Sequence, residues 1–197
     1  MAVLNNSNAI SPSGYDINNS LRFRASASAY LTRTQGNGSA TSFTASMWVK
    51  RGQLTTIQHL LNSGSVGTTE GYFRFNGSDA LEFQDGTNLA PLTTTAVFRD
   101  PSAWYHIVLS VNTANATAAD RVIVYVNGTR QTTTGTHNGS NLLSWNKTGE
   151  ILAIGRFTRN TTNYFDGYIT EAYWVDGQQL TPSSFGETDA VTGSWVA

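Results

Sequence analysis

The groups in this chain that could do chemistry are thirteen carboxylates and three histidines; cysteine is absent. Three carboxylate pairs lie close in sequence: Glu82 with Asp85, Asp166 with Glu171, and Glu187 with Asp189. Hydrolysis of a glycosidic bond uses two such groups facing one substrate, roughly 5–10 Å apart. Asp166 and Glu171 have an odd separation, so a regular strand would turn them to opposite faces. A bulge between them would realign them. Otherwise each carboxylate reads as a turn or edge residue. His59, His106 and His137 stand apart, none in a nucleophile-elbow context and none at metal-ligand spacing. The absence of cysteine removes thiolate zinc sites, cysteine nucleophiles and disulfide scaffolds together. The expectation is a chain that is not an enzyme.

Calcium takes oxygen ligands drawn from several loops, so it needs no compact motif. Asp79, Asp85, Asp100 and Asp166 lie near predicted turns or strand ends. None matches a ligand motif, and turn formation is the simpler reading of each. Calcium stays an open alternative, and no other cofactor is implied.

Sugar binding would use aromatic faces with a few convergent polar groups. Trp145, in the long polar loop Gly135–Gly149, and Tyr164, beside Asn160–Asn163, are candidate exposed aromatics. Trp48 is a third, on the otherwise polar side of a strand. These three are the candidate glycan or partner contacts. For each, a place in the core or between subunits is the alternative. Trp104 and Trp174 are assigned to the core.

The elements that must position these side chains are strands. Phe43, Ala45, Met47 and Val49 alternate with Thr44, Ser46, Trp48 and Lys50, the period of a half-buried antiparallel strand. Tyr105, Ile107, Leu109 and Val111 repeat the pattern, with His106 opposite. Ser20–Arg24 and Ala29–Arg33 read as an opening strand pair. Asn76-Gly77 and Asn127-Gly128 predict hairpins of type I′, whose two central residues need positive φ. Tyr164–Val175 reads as one long strand, with a change of step between Ile169 and Ala172 that indicates a bulge. Pro182–Phe185 reads as a single helical turn. About a dozen short strands at this spacing predict an all-β, two-sheet antiparallel jelly-roll sandwich.

Twelve Lys and Arg against thirteen Asp and Glu leave a formal charge of −1. Such balance offers no general pull on nucleic acid or anionic lipid. Charged residues are 13% of the chain, about half the usual share, and Thr, Ser, Asn and Gly replace them on the surface. No run approaches the roughly 20 apolar residues of a membrane span. Met1–Ile10 lacks the basic and apolar regions of a secretory signal, so any exit from the cell is expected by another route, of which release in a particle by lysis is one. Nine Asn-x-Ser/Thr matches then follow from composition rather than glycosylation. Met1–Asn19 reads as an extended arm ahead of one domain over 20–197, with Leu4, Ile10 and Tyr15 as candidate docking residues. The arm is either ordered by a partner or laid down as an edge strand.

The phrases SLRF, AYLTRT, FTASMWVKRG, FRDPSAWYHIVLSV, RVIVYVNG, ILAIGR, FDGYITEAYWVDGQQL, PSSFGETD and TGSWV follow in order from about Ser20 to Val196. This series resembles the laminin-G-like domains of tailed-bacteriophage structural proteins, within the concanavalin A-like lectin/glucanase superfamily. The resemblance implies a virion protein: a head decoration, a fibre subunit or a short tail spike. It implies other virion proteins as partners and a homo-oligomer, for which a trimer would suit. The alternative is a carbohydrate-binding module for host surface glycans; a glycan hydrolase is the third reading.

Overall fold

A computed structural model describes residues 17–64, 70–86, 90–159 and 162–197. Leu4, Ile10 and Tyr15 lie outside the described residues. The strands are β1 (Leu21–Phe23), β2 (Leu31–Thr34), β3 (Ser42–Arg51), β4 (Gln58–Ser63), β5 (Gly71–Phe75), β6 (Ala80–Asp85), β7 (Leu92–Val97) and β8 (Tyr105–Asn112). They continue with β9 (Val122–Val126), β10 (Thr129–Arg130), β11 (Thr133–Thr134), β12 (Ile151–Ile154), β13 (Gly167–Asp176), β14 (Glu187–Thr188) and β15 (Trp195–Val196). Six strands form one sheet in the order β1-β13-β3-β8-β9-β10. Seven form the facing sheet in the order β11-β7-β6-β5-β4-β12-β2, and β14 with β15 makes a small ribbon. This is the expected all-β sandwich.

Alternation decides what enters the core. On β3, Phe43, Ala45, Met47 and Val49 are at most 2% exposed, and their β8 partners are Val111, Leu109, Ile107 and Tyr105. Val122, Val124 and Val126 extend this layer along β9. Phe73, Phe75, Leu81, Phe83 and Leu92 face it from the other sheet. Burying such side chains contributes roughly 1.5–3 kcal/mol each and drives the two sheets together. Trp174, expected in the core, is half-buried and packs against it; Trp104 is also only half-buried.

Two local expectations need correction. β1 and β2 do not pair: β1 joins β13 in the six-stranded sheet, and β2 joins β12 in the other. A 3-10 turn at Ala25–Ala27, ended by Ser28 at φ 53, carries the chain across between the sheets. The Asn76-Gly77 hairpin forms between β5 and β6, but its positive φ falls on Asp79. The Asn76 side chain accepts from the Ser78 and Ala80 N–H groups, which favours this longer turn. Asn127 and Gly128, at φ 48 and 74, do make the tight turn expected of them.

The outward side of the six-stranded sheet carries polar side chains that are nonetheless buried: Thr44, Ser46, His106 and Ser110 are at most 1% exposed. The C-terminal stretch covers them. Thr44 Oγ1 donates to the Gln178 carbonyl at 2.7 Å and accepts from the Leu180 N–H at 2.8 Å. Ser110 Oγ donates to the Leu180 carbonyl at 2.7 Å. Period-two hydroxyls on one face are thus seats for a strap and do not face solvent.

Candidate functional site

Where the strap leaves the sheet, a groove of about 410 Å³ opens on the outward side of β3, β8 and β13. Ser46, Trp48 and His106 line it from the sheet, Glu171 and Tyr173 from β13, Ser184 and Phe185 from the strap, and Ala197 beyond it. Trp48 is opposite His106 in the β3–β8 register, and their rings lie 4.9 Å apart.

The β13 wall depends on the bulge. Thr170 pairs with Trp48, but the next paired residue, Tyr173, meets Ser46, so two residues oppose Met47. Glu171 takes up the irregularity at φ 48. The step restores Tyr173 to the outward side and turns Trp174 inward onto Phe43 at 4.3 Å. The Tyr173 hydroxyl donates to Glu171 Oε2, and the Tyr173 ring stacks with Phe185 at 6.0 Å. A bulge indicated by sequence therefore builds one wall of the groove. It does not bring Asp166 to Glu171: Asp166 accepts from Arg22 at 2.7 Å and from the Ala25 N–H at 3.1 Å, and does not line the groove.

His106 lies under the groove with a fixed tautomer. The Trp195 indole N–H can only donate, and it donates to His106 Nδ1 at 2.8 Å. A neutral imidazole then carries its proton on Nε2, which lies 2.9 Å from Ser46 Oγ and donates to it. A general base must accept a proton from its serine, so this Ser-His pair has the opposite polarity to a nucleophile and its base. Gly128 leaves the space in which Trp195 sits; a Cβ there would lie 2.4 Å from the indole.

Burial holds His106 neutral, pushing its pKa down to about 4 from 6.5. His59, buried between Phe157 at 4.8 Å and Tyr72 at 5.7 Å, is pushed down to about 3 by burial and then by the Arg74 charge. Both are neutral in either state above pH 6.5. Below it the unfolded chain takes up protons that the folded chain refuses, so stability falls as pH drops toward 4. We expect each histidine to cost on the order of 2–3 kcal/mol between pH 7 and 4.5. Urea unfolding at the two pH values measures this; equal midpoints would contradict it.

The remaining aromatic candidates separate. Trp145 is 1% exposed and is a core residue, which corrects its assignment as an exposed contact. Its ring packs against Phe43 at 5.4 Å, Trp174 at 5.8 Å and Phe83 at 5.9 Å. Gly71 makes room for it, since a Cβ there would lie 2.2 Å from the indole nitrogen. Tyr164 is half-buried against Tyr30 at 6.3 Å, and Arg156 lies 3.8 Å over Tyr30. It does not line the groove. Of the three aromatics singled out by sequence, Trp48 alone does. Tyr173 and Phe185 were not among them, and Glu171 was weighed only as a partner for Asp166; the bulge was the one local signal that pointed to the β13 wall.

The carboxylates weighed for calcium or catalysis have other partners. Asp79 accepts from Arg51 and Arg99, each at 3.0 Å, and from the Thr55 N–H at 2.7 Å. Asp85 accepts from the Leu143 N–H at 3.1 Å and pins the long loop. Asp100 accepts from the Ser102 N–H and hydroxyl. Glu82 accepts from Tyr72 at 2.7 Å and Arg74 at 3.0 Å, and Asp189 caps the turn at Val191–Thr192. Among the described residues no group of three or more His, Asp or Glu side chains could hold a metal ion.

Comparisons agree with this architecture. No curated protein gave a significant sequence match. Domain 4 of AbnA, an extracellular GH43 arabinanase from Geobacillus stearothermophilus solved with arabinotriose, is similar at 20% identity and TM-score 0.57; the match covers 78% of this chain and 69% of that one. The CBM40 of a Ruminococcus gnavus sialidase, solved with α2,3-sialyllactose, is similar at 14% identity and TM-score 0.54, over 80% of this chain and 96% of that one. Domains LG4-5 of the mouse laminin α1 chain are similar at 14% identity and TM-score 0.57, over 81% of this chain and 43% of that one. At these identities the likeness is one of fold. The Laminin_G_3 model, described as the concanavalin A-like lectin/glucanases superfamily, matches residues 24–184, and the chain belongs to that family.

Proposed function

We propose that the chain is a non-catalytic glycan-recognition module, carried on the surface of a tailed-phage particle. The observation that carries the recognition reading is the groove in which Trp48, Tyr173 and Phe185 meet one carboxylate, Glu171. Aromatic faces stack on the C–H faces of sugars, and a carboxylate accepts from their hydroxyls. The groove's side chains supply one carboxylate, where glycoside hydrolysis uses two. Two proteins of similar fold were solved with bound oligosaccharides, which supports the same reading.

The particle reading rests on the ordered phrases that resemble phage structural domains. In it, the N-terminal segment attaches the domain to capsid or tail proteins, the sandwich faces outward, and copies assemble as a homo-oligomer such as a trimer. Immunogold labelling of purified particles tests it: regular decoration is expected, and unlabelled particles would overturn it.

The groove is tested by binding of the purified chain to host surface polysaccharide. Trp48→Ala and Tyr173→Ala are each expected to weaken binding by about tenfold or more, the effect of removing a central aromatic anchor. Trp48 and Tyr173 are partly exposed, so the variants should still unfold cooperatively. Binding unchanged by both would place recognition elsewhere.

A further inference from the structure

We infer that the groove selects uncharged sugars and rejects those bearing a carboxylate or sulfate. This rests on the glycan reading of the same groove and adds the class of its ligand. Two observations carry it. The first is the charge of the lining: Glu171 contributes a carboxylate, and no Lys or Arg side chain is among the lining residues. His106 supplies no positive charge there, because its Nδ1 accepts from Trp195 and the ring is neutral. Lys50, the next outward position of β3 after Trp48, is not among the groove-lining residues. Arg33 lines the neighbouring apolar cleft between the two sheets, with Leu31, Met47, Leu61 and Ile154; Tyr173 stands between that cleft and the groove and lines both.

The second observation is how Glu171 is fixed. The bulge places it at φ 48, and the Tyr173 hydroxyl donates to Oε2, while Oε1 has no partner among the described residues. A carboxylate held beside stacked rings is an acceptor for hydroxyl donors. A neutral sugar offers such donors around its ring. A sialic or uronic acid brings a second carboxylate instead, and like charges brought together in a contact without a compensating cation repel strongly.

The test is an array of immobilised oligosaccharides in matched pairs, each neutral glycan beside its sialylated, uronic or sulfated twin, read with the purified intact chain. The expected result is binding to neutral members, at least about tenfold stronger than to their anionic twins, and lost in Trp48→Ala. Glu171→Gln, which keeps the side-chain shape and an acceptor for Tyr173, should weaken neutral binding by the loss of a charged acceptor and relieve the repulsion of anionic twins, so that the preference shrinks to about threefold or less. Added salt should shrink it in the intact chain too, since screening acts on charge alone. Anionic twins bound as well as neutral ones, in a manner that Trp48→Ala abolishes, would overturn the class and leave the groove standing. A preference untouched by Glu171→Gln would overturn the assignment to this carboxylate. No binding that depends on Trp48 would overturn the groove and the class together.

Discussion

Trp145→Ala is expected to destabilise the fold by about 3–5 kcal/mol, the range for removing a buried large aromatic. Trp145 is 1% exposed and touches three other rings, so its loss leaves a cavity at the meeting point of both sheets and the 135–149 loop. Gly71 lies against the indole, and its strand cannot close the space with a side chain of its own. For a chain of this length each kcal/mol lowers Tm by roughly 2–4 °C, so a fall of about 10 °C is expected. Denaturant unfolding measures it directly. Binding by the surviving folded fraction should be nearly normal, because Trp145 does not line the groove. Trp48→Ala should show the reverse, weak binding and a small change in Tm. A Trp145 variant as stable as the parent would contradict the core assignment.

Asp79→Ala should be comparably severe, for an electrostatic reason. The Arg51 and Asp79 side chains are both 0% exposed and lie 3.0 Å apart. Arg51 also lies 4.1 Å over the Phe75 ring and donates to the Phe98 carbonyl. Burial works against the Asp79 carboxylate, but the Thr55 N–H, Arg99 and Arg51 outweigh it and hold its pKa below the usual value. Removing the acid leaves the guanidinium buried without its countercharge, which costs about 3–5 kcal/mol. Asp79 also has φ 66, a region that Asp and Asn tolerate better than Ala. Asp79→Asn should therefore lose less than Asp79→Ala. The double change Arg51→Met with Asp79→Asn should recover part of the loss, because no unpaired charge remains. Urea midpoints of the three variants give the order; Asp79→Ala as stable as the parent would contradict it.

The sequence disclosed the parts of the fold that are local. Phe43 to Val49 and Tyr105 to Val111 announce their inward faces by alternation, and the structure seats them as that pattern requires. The bulge in β13 was visible as a missed step between Ile169 and Ala172. Asn127-Gly128 contains the chemistry of its own turn. What was not legible depends on residues far apart in the chain. Trp145 sits in a loop whose own composition is polar, and its burial is decided by Gly71 and Phe83 on other strands. β1 and β2 look like partners because they are adjacent and similar, yet a short turn sends them to different sheets.

The groove illustrates the same limit. Trp48 stood out because it is a large aromatic on a polar face. Its companions come from the β13 bulge and from the strap, more than a hundred positions along, and no period or motif links them to it. The strap also changed the meaning of His106, which from alternation alone faces solvent. Covered by Trp195 and bonded to Ser46, it becomes a neutral spacer under the groove.

Sugar recognition at the Trp48 groove can be watched residue by residue. The five tryptophans give it a direct reading, since each indole N–H has its own resonance in a nitrogen-correlated NMR spectrum. Titration of the intact chain with a neutral oligosaccharide prepared from host surface polysaccharide should shift the Trp48 indole signal saturably. Trp195 should follow, through its bond to His106, while the Trp145 signal stays fixed. A titration that moves Trp104 or Trp174 and leaves Trp48 unchanged would contradict the account and put the binding surface elsewhere on the sandwich.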